Sequence, residues 1–363
     1  MLVDKPQNAD YLLLSTCGTA DSVTQKSIRQ IEDLGAYHGE LIVIGCLPDT
    51  DREKMDEVFT GRFVKNTEMY RLDEIFHTKR PFSEFEDIQM SISNSEYYIE
   101  ICRGCVEHCA YCAIRKAVGP IKSTPLRSCV SQINAAIAAK PERLIIGAEN
   151  IGAYGYDIKT NLAELLDNID FPEGSLLVRL NNFHPRYLIK YSDTIIRMLK
   201  KRTIGLLKIP VQSGNQRILD LMNRRYSIKT LGSLLDEIKV IDESVIIMTD
   251  IIVGFPGETL DSLKETCEFI KRHLDIGRIF VFTTKANTKA SLLPDQLEQK
   301  EKENMLQVLL DYLRLNEYVI NINDDFVHTF CRVTSSFDEN NPYNGGVREL
   351  FIKSGSDECS NIR

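Results

Sequence analysis

Between residues 97 and 282 the chain repeats one unit six times, a short apolar run followed by an amphipathic helical stretch. The apolar runs are 97–101, 143–146, 176–179, 206–211, 245–253 and 278–282, and helical periodicity is plainest over 128–139 and 261–271. Strands separated by helices run parallel, and right-handed crossovers of regular length curl a parallel sheet toward a barrel. Six units fall short of the eight of a closed barrel. The predicted fold class is therefore α/β, with a partial, laterally open (β/α)6 barrel.

Upstream, a strand at 11–15, a helix at 24–34 and a second strand at 40–44 predict a small α/β, flavodoxin-like layer. Each of those strands leads into a cysteine, Cys17 and Cys46, at the end of the strand where open α/β sheets place ligands. The expected domains are 1–88, 89–317 and a short tail, 318–363. In the tail, 330–333 and 349–353 have strand character, 342–346 is a turn, and 354–363 is expected to be disordered.

The formal net charge of −8 opposes nucleic acid as a default partner. Lys200-Lys201-Arg202 and Arg224-Arg225 are the candidate basic patches, with solvated helix ends as the alternative. No run reaches membrane-spanning length, and the first residues lack a signal-peptide pattern, so no membrane partner and a cytoplasmic location are expected. In a reducing compartment ten cysteines are not a disulfide framework. Four of them, Cys102, Cys105, Cys109 and Cys112, fall in one short stretch directly after the first barrel strand.

Cys105, Cys109 and Cys112 have the spacing C-x3-C-x2-C. Structural zinc takes four ligands. Three thiolates suit a [4Fe–4S] cluster with one iron free of protein. Cys102 as a fourth ligand would close the site, either as zinc or as an inert cluster.

The segment from Cys105 to Gly119 resembles the radical S-adenosylmethionine superfamily. Four longer phrases narrow the resemblance to the methylthiotransferases that modify tRNA adenosines or a ribosomal-protein aspartate. They are Tyr154-Gly155-Tyr156-Asp157, Pro210-Val211-Gln212-Ser213-Gly214, Leu221-Met222-Asn223-Arg224-Arg225-Tyr226, and the run from Asp250 to Thr259. The resemblance covers roughly residues 10–315. It implies that the free iron binds S-adenosylmethionine, whose reductive cleavage yields a 5′-deoxyadenosyl radical, with a flavodoxin or ferredoxin as electron donor. It also implies an adenine contact at Tyr111 and a methionyl amino-group contact at Gly147 and Glu149. Gln212 and Ser213 would face the ribose or carboxylate, and Gly254, Phe255 and Pro256 the adenine.

Cys17 and Cys46 resemble two of the three cysteines that hold an auxiliary cluster in that family. None of the sixteen residues before Cys17 is cysteine, so the third ligand is expected to be missing and the N-terminal domain truncated. The tail is too short for the family's RNA- or target-binding barrel, and Lys285-Ala286-Asn287-Thr288-Lys289-Ala290 replaces the family's arginine-proline-glycine-threonine-proline run. With the acidic balance, these departures lead to the expectation of a transferase inserting sulfur or a methylthio group into a small metabolite or peptide rather than tRNA. The alternatives are radical rearrangement or epimerisation without sulfur insertion, and a non-catalytic iron–sulfur electron carrier.

Overall fold

The computed structural model describes residues 4–18, 21–77, 90–93, 96–174, 176–286, 288–322 and 328–333. They form two compact units. One comprises residues 1–88, 107–120 and 283–293, the other 89–106, 121–282 and 294–363.

In the first unit β1 (Tyr11–Thr16), β2 (Glu40–Gly45) and β3 (Arg62–Lys65) form a parallel sheet in that order. Helix Asp21–Gly35 links the first two strands, and its Ile31 joins Leu12, Leu14, Leu41 and Val43 in a small core. In β1 burial alternates strictly, so that Leu12 and Leu14 face the core. Central β2 is buried along most of its length, the mark of a strand covered on both faces. Lys285, from the third segment of this unit, donates to Asp51 Oδ2 at 2.9 Å and to Thr24 Oγ1 at 2.9 Å. Thr24 also donates to Asp51 at 3.0 Å, so the buried lysine charge is both paired and hydrogen-bonded.

The second unit is built on one sheet. Its strands are β4 (Met90–Ser93), β5 (Glu96–Glu100), β8 (Arg143–Gly147), β9 (Leu177–Leu180), β10 (Ile204–Lys208), β11 (Ile246–Val253), β12 (Ile276–Val281), β13 (Tyr318–Ile322) and β14 (His328–Arg332). A separate two-stranded ribbon pairs β6 (Cys102–Arg103) with β7 (Lys122–Ser123). The order in the large sheet is β13-β14-β12-β11-β10-β9-β8-β5-β4, and the six strands from β5 to β12 are all parallel. One face of these strands presents Ile99, Leu144, Ile146, Val178, Leu180, Leu207, Ile247, Ile251 and Ile279 to the main core, together with helix residues such as Ile133, Leu235 and Ile270.

Two expectations change here. β10 stops at Lys208 instead of running to 211, because Pro210 has no N–H for the ladder and Gln212 turns to φ +78°. The supposed separate tail begins with the β13–β14 hairpin, and β14 pairs antiparallel with β12, extending the barrel sheet. The expected turn at 342–346, the strand at 349–353 and the disordered end lie outside the described residues. Phe330 of β14 is fully buried, its ring 5.5 Å from Tyr318 and seated over Gly277, where a Cβ would lie 2.4 Å from Phe330 Cζ. Phe330→Ala should lower stability by about 3–5 kcal/mol, read as a fall in the unfolding midpoint of the anaerobic protein. A change below about 1 kcal/mol would show that the hairpin is not part of the core.

Candidate active site

The loops leaving the parallel strands are braced, each to a neighbouring strand or to the loop beyond it. Asn181 N donates to Ile146 O at 2.9 Å, Phe183 N to Lys208 O at 2.8 Å, Gln212 N to Asp250 O at 2.8 Å and Phe282 N to Val253 O at 2.8 Å. Asn182 Nδ2 adds a bond to Ala148 O at 2.8 Å, tying the loop after β9 to the loop after β8. The phrase Asn223-Arg224-Arg225-Tyr226 has a mechanical role in the same brace: Arg224 donates to Pro210 O, and Tyr226 Oη donates to Val211 O at 2.7 Å. Carboxyl ends of barrel strands are where such folds place their chemistry.

Glu149 lies beyond β8, and its Oε2 accepts the Gly104 N–H at 3.0 Å. Burial raises its carboxyl above the usual range, and that N–H pulls it back in part. Its shown role is thus to hold the chain entering the cysteine loop, where Gly104 adopts φ +82°. A Cβ at Gly147 would lie 2.4 Å from Tyr98 Oη, so any other residue there must push the Tyr98 ring aside. Gln212 occupies left-handed backbone, and its side-chain amide has no partner among the described residues. Gly254 has φ +78°, and a Cβ there would meet Lys302 Cγ at 2.6 Å.

Two residues expected at the cofactor have inward-packed side chains instead. Ser213 is fully buried with its hydroxyl 3.2 Å from Thr266 Oγ1, fastening the loop to helix Leu260–His273. Phe255 is fully buried, its ring 5.1 Å from Phe282 at an interplanar angle of 70°. What these positions and buried Pro256 offer a ligand is backbone.

Cys105, Cys109 and Cys112 are half-buried and outside any disulfide, and Tyr111 is half-buried in the turn where Cys112 N donates to Cys109 O at 3.2 Å. Burial, and then the neighbouring Cys109, push the Cys112 thiol up. A bound metal reverses that preference by favouring the thiolate. Cys102 is different: it is fully buried, its sulfur 3.9 Å from Asn150 O, and burial raises its pKa steeply. It sits in the main core with Cys129 and is unsuited to be a fourth ligand. Among the described residues no three Cys, His, Asp or Glu side chains are gathered closely enough to hold a metal as they stand. The fit to a [4Fe–4S] cluster therefore rests on donor chemistry and spacing, and both suit it.

Cys17 and Cys46 follow Thr16 and Gly45, which are register partners in β1 and β2. Cys46 N donates to Thr16 O at 3.0 Å, Ser27 Oγ both accepts from Cys17 N and donates to Cys17 O, and Asn66 Nδ2 donates to Cys46 Sγ at 3.2 Å. The fold thus places the two cysteines on adjacent strand ends.

The sequence reading missed Arg179, Lys208, Asp250 and Arg278, which share the sheet face opposite the main core. The signal was present as a single charged residue in each of four otherwise apolar strands. Asp250 Oδ1 and Oδ2 accept from Arg278 Nε at 2.7 Å and from a terminal guanidinium nitrogen at 3.0 Å, and Lys208 Nζ is 3.7 Å from Oδ2. Burial alone would raise Asp250, but Lys208 and Arg278 hold it at about 2.

The six-stranded parallel sheet with this braced carboxyl edge defines the class, an α/β partial-barrel enzyme. A model of the radical SAM superfamily matches residues 99–270, and one described as uncharacterized protein family UPF0004 matches residues 1–64. The probable threonylcarbamoyladenosine tRNA methylthiotransferase of Pyrococcus horikoshii is 30% identical, over 75% of this chain and 67% of that one. The tRNA-2-methylthio-N(6)-dimethylallyladenosine synthase of Fusobacterium nucleatum is 27% identical, over 98% of this chain and 82% of that one. A ribosomal protein uS12 methylthiotransferase of Chlamydia pneumoniae is 26% identical, over 85% and 70%. Among solved structures the radical S-adenosylmethionine methyltransferase TsrM of Kitasatospora setae superposes with a TM-score of 0.57 at 12% identity, covering 77% of this chain and 66% of that one. The chain spans about two thirds of the length of the first of these relatives. It belongs to the methylthiotransferase family of radical S-adenosylmethionine enzymes, for which a [4Fe–4S] cluster and S-adenosylmethionine are the cofactors. No helix among the described residues is long and apolar enough to cross a membrane.

Glu258 supplies a pH handle on this edge. Its Oε2 accepts from Gly254 N at 2.6 Å while Oε1 is buried without a partner. Burial raises the carboxyl from 4.5 to about 7, against the pull of the Gly254 and Phe255 N–H groups. A group raised on folding stabilises fully below its unfolded pKa and loses that contribution as pH rises through the folded value. Relative to Glu258→Gln, the native chain should lose on the order of 3 kcal/mol between pH 4.5 and somewhat above 7, read from unfolding midpoints across that window. Parallel pH profiles for the two proteins would contradict the assignment.

Proposed function

We propose that this chain is a tRNA methylthiotransferase whose substrate is an adenosine carrying a threonylcarbamoyl substituent. The observation that carries the reading is the C-x3-C-x2-C loop, entered through Gly104 and held there by Glu149, on a chain 30% identical to a relative named for that nucleoside. The short tail, the 285–290 run and the acidic net charge had together favoured a metabolite or peptide, whereas the relatives are named for tRNA or a ribosomal protein. Net charge speaks to long-range steering and not to what a site accepts, so the naming of the relatives outweighs it.

Cys105, Cys109 and Cys112 are the residues we assign to the cluster. When bound, the cluster supplies the electron that cleaves S-adenosylmethionine reductively; a flavodoxin- or ferredoxin-type protein is the reductant this requires. Gly147, Gln212 and the backbone at Gly254 form the edge that would receive the cofactor, and Tyr111 lies in the cysteine turn beside the third ligand. Cys17 and Cys46 are assigned to the auxiliary cluster that serves sulfur insertion.

The test separates the two roles. Alanine at Cys105, Cys109 or Cys112 should abolish 5′-deoxyadenosine release and the visible absorption that the loop contributes. Cys17→Ala and Cys46→Ala should leave cofactor cleavage measurable while the tRNA gains no methylthio group by mass spectrometry. If both N-terminal variants thiolate tRNA at the native rate, the auxiliary assignment is wrong. If the native, reduced protein cleaves its cofactor but leaves threonylcarbamoylated tRNA unaltered, the substrate is wrong.

A further inference from the structure

The inner face of the barrel sheet carries three cations and a carboxylate on four neighbouring strands, with Glu96 and Arg143 on the same face at the strand starts. Arg179, Lys208, Asp250 and Arg278 come from the consecutive strands β9, β10, β11 and β12. Asp250 is already engaged by Arg278 through both its oxygens and by Lys208 through one. Arg179 is left over. Among the described residues its terminal nitrogen reaches only the amide oxygen of Asn181 at 3.3 Å and the sulfur of Met248 at 3.7 Å, and its buried Nε has no partner.

Neither of those acceptors carries charge. Burial lowers Arg179 only to about 10, so it remains a cation at neutral pH. Of the charged groups that act on it, Glu96 comes first and favours its charge without forming an ion pair with it, Arg278 and Arg143 oppose it, and Asp250 is committed to Arg278 and Lys208. Two residues nearer the strand starts, Leu206, Met248 and Ile276 form an apolar floor, which lowers the local dielectric and strengthens any pairing above it. A guanidinium with free donors in such a place matches a carboxylate in shape and charge.

We propose that Arg179, backed by Lys208, receives a carboxylate that the substrate carries into the barrel, making the pair a specificity determinant. This rests on the tRNA-adenosine reading above and names the part of the nucleoside recognised. A threonylcarbamoyl substituent ends in a carboxylate, whereas a dimethylallyl substituent has none. An uncharged substituent leaves Arg179 unpaired, and sites built around a buried polar group reject ligands that do not satisfy it.

The test is equilibrium binding to the full reconstituted chain, by calorimetry. The probes are N6-threonylcarbamoyladenosine, its methyl ester, S-adenosylmethionine and an aspartyl peptide. The native protein should bind the acid at least about tenfold tighter than the ester. Arg179→Gln should erase that preference, Arg179→Lys should retain part of it, and the affinity of either variant for S-adenosylmethionine should stay within about twofold of native. The lysine variant keeps the charge and guards against a folding artefact.

Three results would overturn the proposal: equal binding of acid and ester, an equal loss of S-adenosylmethionine binding, or a peptide bound tighter than the nucleoside acid. The second would assign the cations to the cofactor's own carboxylate. If neither nucleoside nor peptide binds, the tRNA reading fails separately. Succinate then reads the cations directly: a rise in the unfolding midpoint of the native protein but not of Arg179→Gln sustains a carboxylate site, and equal responses exclude it.

Discussion

Whatever chemistry this chain performs depends on the hydrogen bonds that hold the strand-end loops of its barrel to their neighbours. A parallel sheet leaves unsatisfied N–H and C=O groups at its carboxyl edge. Here Gln212, Asn181, Asn182 and Phe183 use those groups to fix one loop to the next. Gln212 does so from a left-handed backbone that a non-glycine residue adopts only when its surroundings require it. Its backbone bonds to Asp250 and Ile252 are that requirement, and the result is a rigid edge on which short loops present backbone and a few polar groups.

The inner face poses the opposite problem. Placing Lys208 and Arg278 there costs solvation, and Asp250 offsets the cost for these two only. Burial draws Lys208 down to about 8 even so, which shows how far the environment disfavours charge. Arg179 adds a third cation there, without an ion pair among the described residues, and Glu96 is the first of the carboxylates that favour its charge. A fold selected for stability alone replaces such a residue with an apolar one; retaining it is what a ligand-binding interior looks like.

The repeated strand–helix unit was legible because its periodicity is physical: one strand face packs on helices and must be apolar. The cysteine loop was legible because thiolate spacing is itself the chemistry. Side-chain direction was not. Ser213 and Phe255 stand inside phrases that mark the cofactor edge, yet their side chains close these loops onto Thr266 and Phe282, contacts with distant segments that the phrases themselves do not reveal. Arg179 and Asp250 were passed over since one charge in an apolar strand carries no periodic signal. The strand at 330–333 was legible, but β13 (Tyr318–Ile322) and the pairing of β14 with β12 were not, because a contact between distant strands is not encoded in the local sequence.

The proposed chemistry turns on three sulfurs that leave one iron open to the sulfonium cofactor. The most direct measurement is low-temperature electron paramagnetic resonance of the reduced protein, with Cys17 and Cys46 replaced so that only the loop cluster contributes, before and after adding S-adenosylmethionine labelled at its carboxylate and amino group. An iron open to the cofactor should give shifted g values and hyperfine coupling to both labels. A spectrum unmoved by the cofactor, with no coupling to either label, would contradict it.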